Sequence, residues 1–303
     1  MNQNPKILSG TELSSVVFSK LSNRIVNLKN KSITPTLAVV LVGENPASKV
    51  YVRNKTKRFK DLSLESKTIR FDQDVSEAEL INKISELNSD VNIHGILVQL
   101  PLPDHIDSEK ILLSINPIKD VDGFHPYNLG HLAAGVPTFI PCTPKGIMRF
   151  FEHYDYELKG KHVVVVGRSN IVGRPISILT SLKKKYSDAT TTICHSGSKD
   201  IYNFTKVADI VILAIGSPNF LKSEHIKDGA IVIDVGINRI NDSNGKPILV
   251  GDADFDSLKH KVEAITPVPG GVGPMTIAML VENTIEAAER FDNFCFVFIG
   301  YVL

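Results

Sequence analysis

Tyr51 and Lys55 stand four residues apart, which on a helix puts a phenol and an ammonium on one face, one turn from each other. Two proton-bearing groups so placed are candidates for acid–base chemistry. The ordinary use of the same spacing is a lysine stem lying along a packed ring. Gln99 follows the apolar run Gly95-Ile96-Leu97-Val98, so an amide sits at the carboxyl end of a buried strand, where α/β proteins gather ligands. Its alternative there is to satisfy a neighbouring backbone group. Asp120-Val121-Asp122-Gly123 offers two carboxylates, which either meet donors on a ligand or stabilise a turn.

A second chemistry lies further on. Four consecutive valines, Val163 to Val166, are bounded by Gly160 and Gly167 and predict a strand buried on both faces of a parallel sheet. Gly167-Arg168-Ser169 then turns the chain, and Gly173-Arg174-Pro175 opens a helix with Ile176, Leu179 and Leu182 on its apolar face. A strand, a Gly-bounded turn and a helix N-terminus set unpaired amides against a phosphate. The pattern is not a regular GxGxxG, since Ser169 replaces the second glycine and the third comes late. In an NAD-binding unit the next strand ends in an acid that accepts from the ribose hydroxyl. Here it ends Cys194-His195-Ser196, and Asp188 precedes the strand. A cation in the turn, Arg168, with the hydroxyl of Ser196, suits a 2′-phosphate, so NADP is expected rather than NAD.

These residues require a scaffold. Leu13, Val16, Val17, Leu21, Ile25 and Leu28 recur at helical spacing. Then come a buried strand at 36–42, a helix from 47 to about 60, a strand at 67–71, and a helix after the capping box Ser76-Glu77-Ala78-Glu79. The strand bearing Gln99 completes an α/β unit. Residues 104–141 are rich in Pro, Gly and Asn and predict an irregular stretch with one short helix near 108–114. Thr143-Pro144 caps a helix towards Tyr154. Strands at 190–194, 209–214 and 230–235 follow the valine strand as a second α/β unit, and 266–274 is a rigid loop before a last helix.

At 303 residues the chain exceeds one usual core, so two domains are expected. A net charge of +1 leaves no footprint for nucleic acid or a membrane surface. Cys142, Cys194 and Cys295 form neither a disulfide framework nor a zinc motif, which points to a reducing, cytoplasmic compartment. Neither His125 nor His131 falls in metal-ligand spacing with these carboxylates, so no metal is expected. The apolar stretch 294–303 is about half the length of a membrane span and is expected to pack.

Gly43-Glu44-Asn45-Pro46-Ala47-Ser48 leading into Tyr51 and Lys55 resembles the first motif of the bifunctional methylenetetrahydrofolate dehydrogenase/methenyltetrahydrofolate cyclohydrolase family. Val98 to Pro103, Lys119 to Phe124, Pro141 to Gly146, Gly167 to Pro175 and Thr266 to Thr276 resemble its others, in order, over about residues 36 to 290. Ser63 departs from the pattern, standing where the family has glycine after the Tyr–Lys helix, and the stretch after Arg290 is unfamiliar. The order of the pair also argues against a short-chain dehydrogenase, whose Tyr-x-x-x-Lys follows the nucleotide loop; here it precedes Gly167.

The resemblance implies an α/β fold of two domains with a cleft between them. Residues 1–142 with 275–303 would form the folate-binding catalytic domain, and 143–274 a Rossmann-like NADP-binding domain. It implies oxidation of 5,10-methylenetetrahydrofolate with NADP and hydrolysis of the methenyl product to 10-formyltetrahydrofolate, an oxidoreductase and hydrolase of one-carbon metabolism that serves purine biosynthesis. Tyr51 would stack on the folate, Lys55 would be the catalytic ammonium or amine, Gln99 would hold and polarise it, and Asp122 would bind the amino edge of the pterin. Val98 and Leu100, with Pro269, Gly270, Gly271, Val272 and Gly273, would line the folate. Gly167, Arg168, Ser169, Ser196 and Ile237 would bind NADP. A homodimer is implied as well. Two other readings are a shikimate-dehydrogenase-like NADP oxidoreductase and a nucleotide-sensing protein without turnover; substrate-dependent NADP reduction separates all three.

Overall fold

Thr36–Val42 is buried along its whole length and becomes the central strand of a three-stranded parallel sheet, between Glu65–Phe71 and Gly95–Val98. The computed structural model describes residues 4–242 and 244–299, with side chains as far as Asp292. The packing expected of 294–303 therefore lies outside the described side chains. The chain divides into two compact units, each made of separated segments. One is Val17–Cys142 with Met279–Leu303; the other is Met1–Val16 with Thr143–Ala278. The sequence alone assigns residues 1–16 to the first domain. They fall in the second unit because Lys6–Ile7 pairs in parallel with Ala264–Ile265.

In the first unit, Val40 of the central strand pairs with Val98, and the Gln99 amide donates to the Val40 carbonyl at 2.9 Å, extending the ladder by one residue. Val40, Val42, Leu80, Ile84, Ile96 and Ile111 share one core cluster. Each such side chain, fully buried, contributes about 1.5–3 kcal/mol. The helix Pro46–Asp61 starts where Asn45 accepts from the Ala47 and Ser48 amides, and its buried stripe is Ser48, Val52, Lys55 and Phe59. It ends in a reciprocal pair of bonds, Ser63 amide to Lys60 carbonyl and Leu64 amide to Phe59 carbonyl, both 2.9 Å. Residues 104–141 hold more structure than expected. A second helix, Pro126–Ala133, begins where His125 Nδ1 accepts from the Tyr127 amide at 3.0 Å. Asn283, on the last helix, donates to the carbonyls of Val121 (2.8 Å) and Ile140 (3.1 Å) and so ties that segment down.

The second unit is a six-stranded sheet, every pairing parallel. Its order is Lys6–Ile7, Ala264–Ile265, Ile231–Asp234, Ile210–Leu213, His162–Val166, Thr190–Cys194. Counted from the valine strand, the order 2-1-3-4-5 is doubly wound, and it reverses between His162–Val166 and Ile210–Leu213. A crevice for a ligand is expected outside the carboxyl ends of those two strands. An antiparallel hairpin, Asn238–Asn241 with Pro247–Val250, also follows; its residues are exposed or half-exposed, and the sequence reading does not anticipate it. No helix among the described residues is long and apolar enough to cross a membrane.

Candidate active and coenzyme sites

Lys55 lies on the buried stripe of its helix and is only 7% exposed. Its Nζ donates to Gln99 Oε1 at 3.1 Å, and Gln99 Nε2 donates in turn to the Leu100 carbonyl at 2.9 Å. That second bond fixes which way round the amide sits: its oxygen faces the ammonium. A buried ammonium held by one neutral oxygen keeps two N–H donors for a ligand. Tyr51, one turn earlier, is 37% exposed, and partial burial pushes its phenol pKa up. It is therefore a neutral, partly exposed ring.

The carboxylates at 120 and 122 take separate roles. Asp120 is buried and accepts from the Gly123 amide (3.2 Å), the His125 amide (2.8 Å) and Asn128 Nδ2 (2.8 Å). Burial pushes its pKa up. Asp120 builds the turn, and Asp122 is the half-buried carboxylate that the turn presents. Asp120 bridges in parallel to Ile96, on the strand that leads into Gln99. Lys119, also buried, anchors the base of this turn by donating to the carbonyls of Leu87 (3.1 Å) and Asp90 (2.7 Å). Tyr51, Lys55, Val98, Gln99, Leu100 and Asp122 thus all belong to the first unit. Pro269, Gly270, Gly271, Val272 and Gly273 belong to the second, where the Gly270 carbonyl accepts from the amides of Gly10 (2.9 Å) and Thr11 (3.0 Å).

In the second unit, Gly167 has φ +127°, and a Cβ there would lie 2.3 Å from the Ala214 carbonyl oxygen. The turn passes against the neighbouring strand at the point where the sheet order reverses. The amides at the helix start are not left unpaired, as the sequence suggests. Ser169 Oγ accepts from Val172 (3.2 Å) and Gly173 (3.3 Å). A phosphate would compete with that hydroxyl for them.

The anion-binding chemistry instead gathers at the end of Thr190–Cys194. His195 Nδ1 accepts from the Gly197 amide at 3.0 Å, so the neutral ring carries its proton on Nε2. Nε2 stands 3.3 Å from Arg168 Nη1. The guanidinium keeps further N–H donors beyond this contact, and such donors suit an anion. Ser196 is exposed next to them. Arg168 with the neighbouring Ser196 hydroxyl is a donor set of the chemistry that pairs with phosphate oxygens. Among the described residues, no group of three His, Cys, Asp or Glu side chains is arranged to hold a metal ion.

Residues 8–122 match the family described as tetrahydrofolate dehydrogenase/cyclohydrolase, catalytic domain, and residues 141–292 match its NAD(P)-binding domain. The chain belongs to the tetrahydrofolate dehydrogenase/cyclohydrolase family. It is 54% identical to the bifunctional protein FolD of Ligilactobacillus salivarius over 284 residues, 94% of this chain and 97% of that one. The crystal structure of a FolD methylenetetrahydrofolate dehydrogenase/cyclohydrolase from Campylobacter jejuni is 46% identical and superposes with a TM-score of 0.89, covering 94% of this chain and 99% of the other. The Trypanosoma brucei enzyme, solved with NADP cofactor and an inhibitor, is 35% identical with a TM-score of 0.89, covering 95% and 98%.

For this member of the family, sequence reasoning passes over three residues that shape the sites. His195 reads only as the end of a strand, yet its ring faces Arg168. Lys119 lies inside a recognisable motif, with nothing in its neighbours to show that it reaches Leu87 and Asp90. Asp252 sits among Gly251, Ala253 and Asp254 like any turn aspartate. Their partners are 14 to 37 residues away in the chain, apart from sequence patterns of the kind a helix or strand displays.

Proposed function

We propose that this protein oxidises 5,10-methylenetetrahydrofolate to the methenyl compound with NADP and hydrolyses that product to 10-formyltetrahydrofolate. The observation that carries the reading is the buried Lys55, bonded to Gln99 within the segment that matches the family's catalytic domain. Bound NADP would supply the hydride acceptor. The residues do the rest. Tyr51 offers a flat neutral face for the pterin or its aryl neighbour. Asp122, a carboxylate, complements the donors on the pterin's amino edge. Hydride loss from the methylene bridge leaves a resonance-stabilised cation, and that step depends on orientation more than on a base. Water then adds and one bridging C–N bond breaks, and these steps need protons moved. Lys55 is placed to deliver and retrieve them, while Gln99 keeps the ammonium aimed.

The 2′-phosphate of NADP would lie with Arg168, His195 and Ser196, close to the turn of Gly167 and Ser169, and Ile237 would meet the dinucleotide further along. The loop of Pro269, Gly270, Gly271, Val272 and Gly273 would supply backbone to the folate. We take the first compact unit as the folate-binding one and the second as the coenzyme-binding one. Its place would be the cytoplasm, and its assembly a homodimer; sedimentation giving a stable 33.3 kDa particle would remove the dimer.

A spectrophotometric assay with methylenetetrahydrofolate and either coenzyme tests the reading, following NADPH and the methenyl chromophore together. The expected result is NADP reduction well above NAD reduction, with methenyltetrahydrofolate consumed as it forms. Absence of turnover with either coenzyme would end the proposal, and turnover on shikimate would replace it.

A further inference from the structure

Two aspartates lie buried together at the carboxyl edge of the six-stranded sheet. Asp252 is fully buried, and its carboxylate accepts four N–H groups. Oδ2 takes the amides of Ile215 (2.8 Å) and Gly216 (3.0 Å); Oδ1 takes the Ser217 amide (2.8 Å) and Asn238 Nδ2 (2.9 Å). Four donors therefore converge on the two oxygens of one buried carboxylate. Asp234 backs it. Its Oδ1 accepts from the amides of Gly236 (2.9 Å) and Asp252 (3.0 Å), and its Oδ2 from Ala253 (2.8 Å). There is no slack around the pair. A Cβ on Gly236 would lie 2.2 Å from Asp252 Oδ1, and one on Gly251 would lie 1.8 Å from Asp234 Oδ2.

The segments held in this way matter for what they border. Residues 215–217 leave the strand Ile210–Leu213, whose next residue, Ala214, abuts the Gly167 turn. Asn238 adjoins Ile237 and follows the strand Ile231–Asp234. In the sheet order, Arg168 and His195 mark the side of the valine strand that faces Thr190–Cys194, and these two segments lie on its opposite side. A dinucleotide anchored by its 2′-phosphate at Arg168 and crossing the reversal point would extend its far half over them.

We propose that Asp252, backed by Asp234, is a positioning residue for the coenzyme: it holds 215–217 and Ile237–Asn238 in the arrangement that receives the half of NADP remote from the 2′-phosphate. The inference rests on the reading that this unit binds NADP. Asp252→Asn puts an NH2 group against two N–H donors and so unpins at least one segment. Asn238→Ala removes a single donor and leaves three backbone amides on the carboxylate, so it keeps the question answerable should Asp252→Asn fail to fold.

The test is titration of NADP into full-length wild type and both variants, alongside hydrolysis of supplied methenyltetrahydrofolate, which consumes no coenzyme. Asp252→Asn is expected to raise the NADP Kd by about tenfold or more, and Asn238→Ala by about three- to tenfold. Hydrolysis should stay within about twofold of wild type, a threshold far below the losses expected from acid–base variants. NADP affinity within the same margin for both variants overturns the inference. So does a parallel loss of affinity and hydrolysis in Asn238→Ala, which would mark a packing role only. A wild type that hydrolyses the methenyl compound but takes up no NADP is a different failure: it refutes the coenzyme reading and the inference with it.

Discussion

An ammonium group buried on the inner stripe of a helix is costly unless something requires it there, because charge is far better solvated in water. Lys55 accepts that cost with a single neutral partner, Gln99. Lys55→Met keeps most of the stem and its packing between Val52 and Phe59, and removes only the charge and donors. Methenyl hydrolysis should then fall about a hundred- to ten-thousandfold, the range for general acid–base catalysis. Hydride transfer, which depends on orientation, should fall much less, so the methenyl chromophore should accumulate in the coupled assay. Unchanged hydrolysis in a folded Lys55→Met protein would remove Lys55 from the mechanism. Because Gln99 acts through Lys55, adding Gln99→Ala to Lys55→Met should cost little beyond the lysine change alone. Tyr51, Lys55, Gln99 and Asp122 are legible in the sequence because each sits at a position defined by local pattern, a helix face, a strand end or a turn. Asp252 and His195 are not, since what distinguishes them is the set of distant groups they meet.

The helix carrying Tyr51 and Lys55 ends at a residue of unexpected type. Ser63 adopts φ +55°, a left-handed conformation that glycine takes without penalty. Both terminal bonds form regardless, and Leu64 and Phe59 are buried beside them, so the substitution strains one residue and leaves the helix end in place. A left-handed side-chain residue costs roughly 1–2 kcal/mol, and glycine returns part of that gain as chain entropy. Ser63→Gly should therefore stabilise the protein by about 0.5–1 kcal/mol with no change in either activity. Denaturant unfolding checks this, and a destabilised Ser63→Gly variant would contradict the strain. Among elements, the buried strands of four or more residues are legible to within a residue or two, since unbroken aliphatic runs have no other home in an α/β chain, whereas the two-residue Ala264–Ile265 is not. Pro126–Ala133 is hidden by the Pro, Gly and Asn around it, and Asn238–Asn241 with Pro247–Val250 by the absence of apolar alternation.

On the scale of the whole molecule, each unit buries an aspartate whose raised pKa ties stability to pH, Asp120 in the first and Asp234 in the second. Burial, followed by the charge of Asp252, pushes the pKa of Asp234 up to about 7. In the unfolded chain an aspartate titrates near 4, so between about pH 4 and 7 the folded state binds the extra proton. The associated stability is fully present below that window and is lost as pH rises through about 7. Each tenfold gain in proton affinity on folding is worth about 1.4 kcal/mol, so the loss amounts to a few kcal/mol. Calorimetric melts from pH 5 to 8 should show the coenzyme-binding unit losing stability with rising pH; Asp234→Asn, whose NH2 must face a backbone N–H and so lowers stability at every pH, cannot titrate and should flatten the slope. An identical slope in wild type and Asp234→Asn would show that Asp234 does not titrate there. The two-unit plan is legible from chain length and from the repeated strand–helix order. The membership of residues 1–16 is not, because a two-residue strand has no periodicity to read.

That short strand also bears on how the protein can be made. Lys6–Ile7 emerges from the ribosome long before its neighbour in the sheet, Ala264–Ile265. The turn around Val121 waits in the same way for Asn283. At roughly 5–20 residues per second, the first strand spends on the order of ten seconds to a minute without its partner. Neither unit can be completed before these partners are made, so the two would finish almost together, once the stretch from Ala264 to Asn283 has emerged. Until then, the exposed edge of the Ile231–Asp234 strand is the surface on which a nascent chain would be most open to capture by chaperones or by its neighbours on the same message.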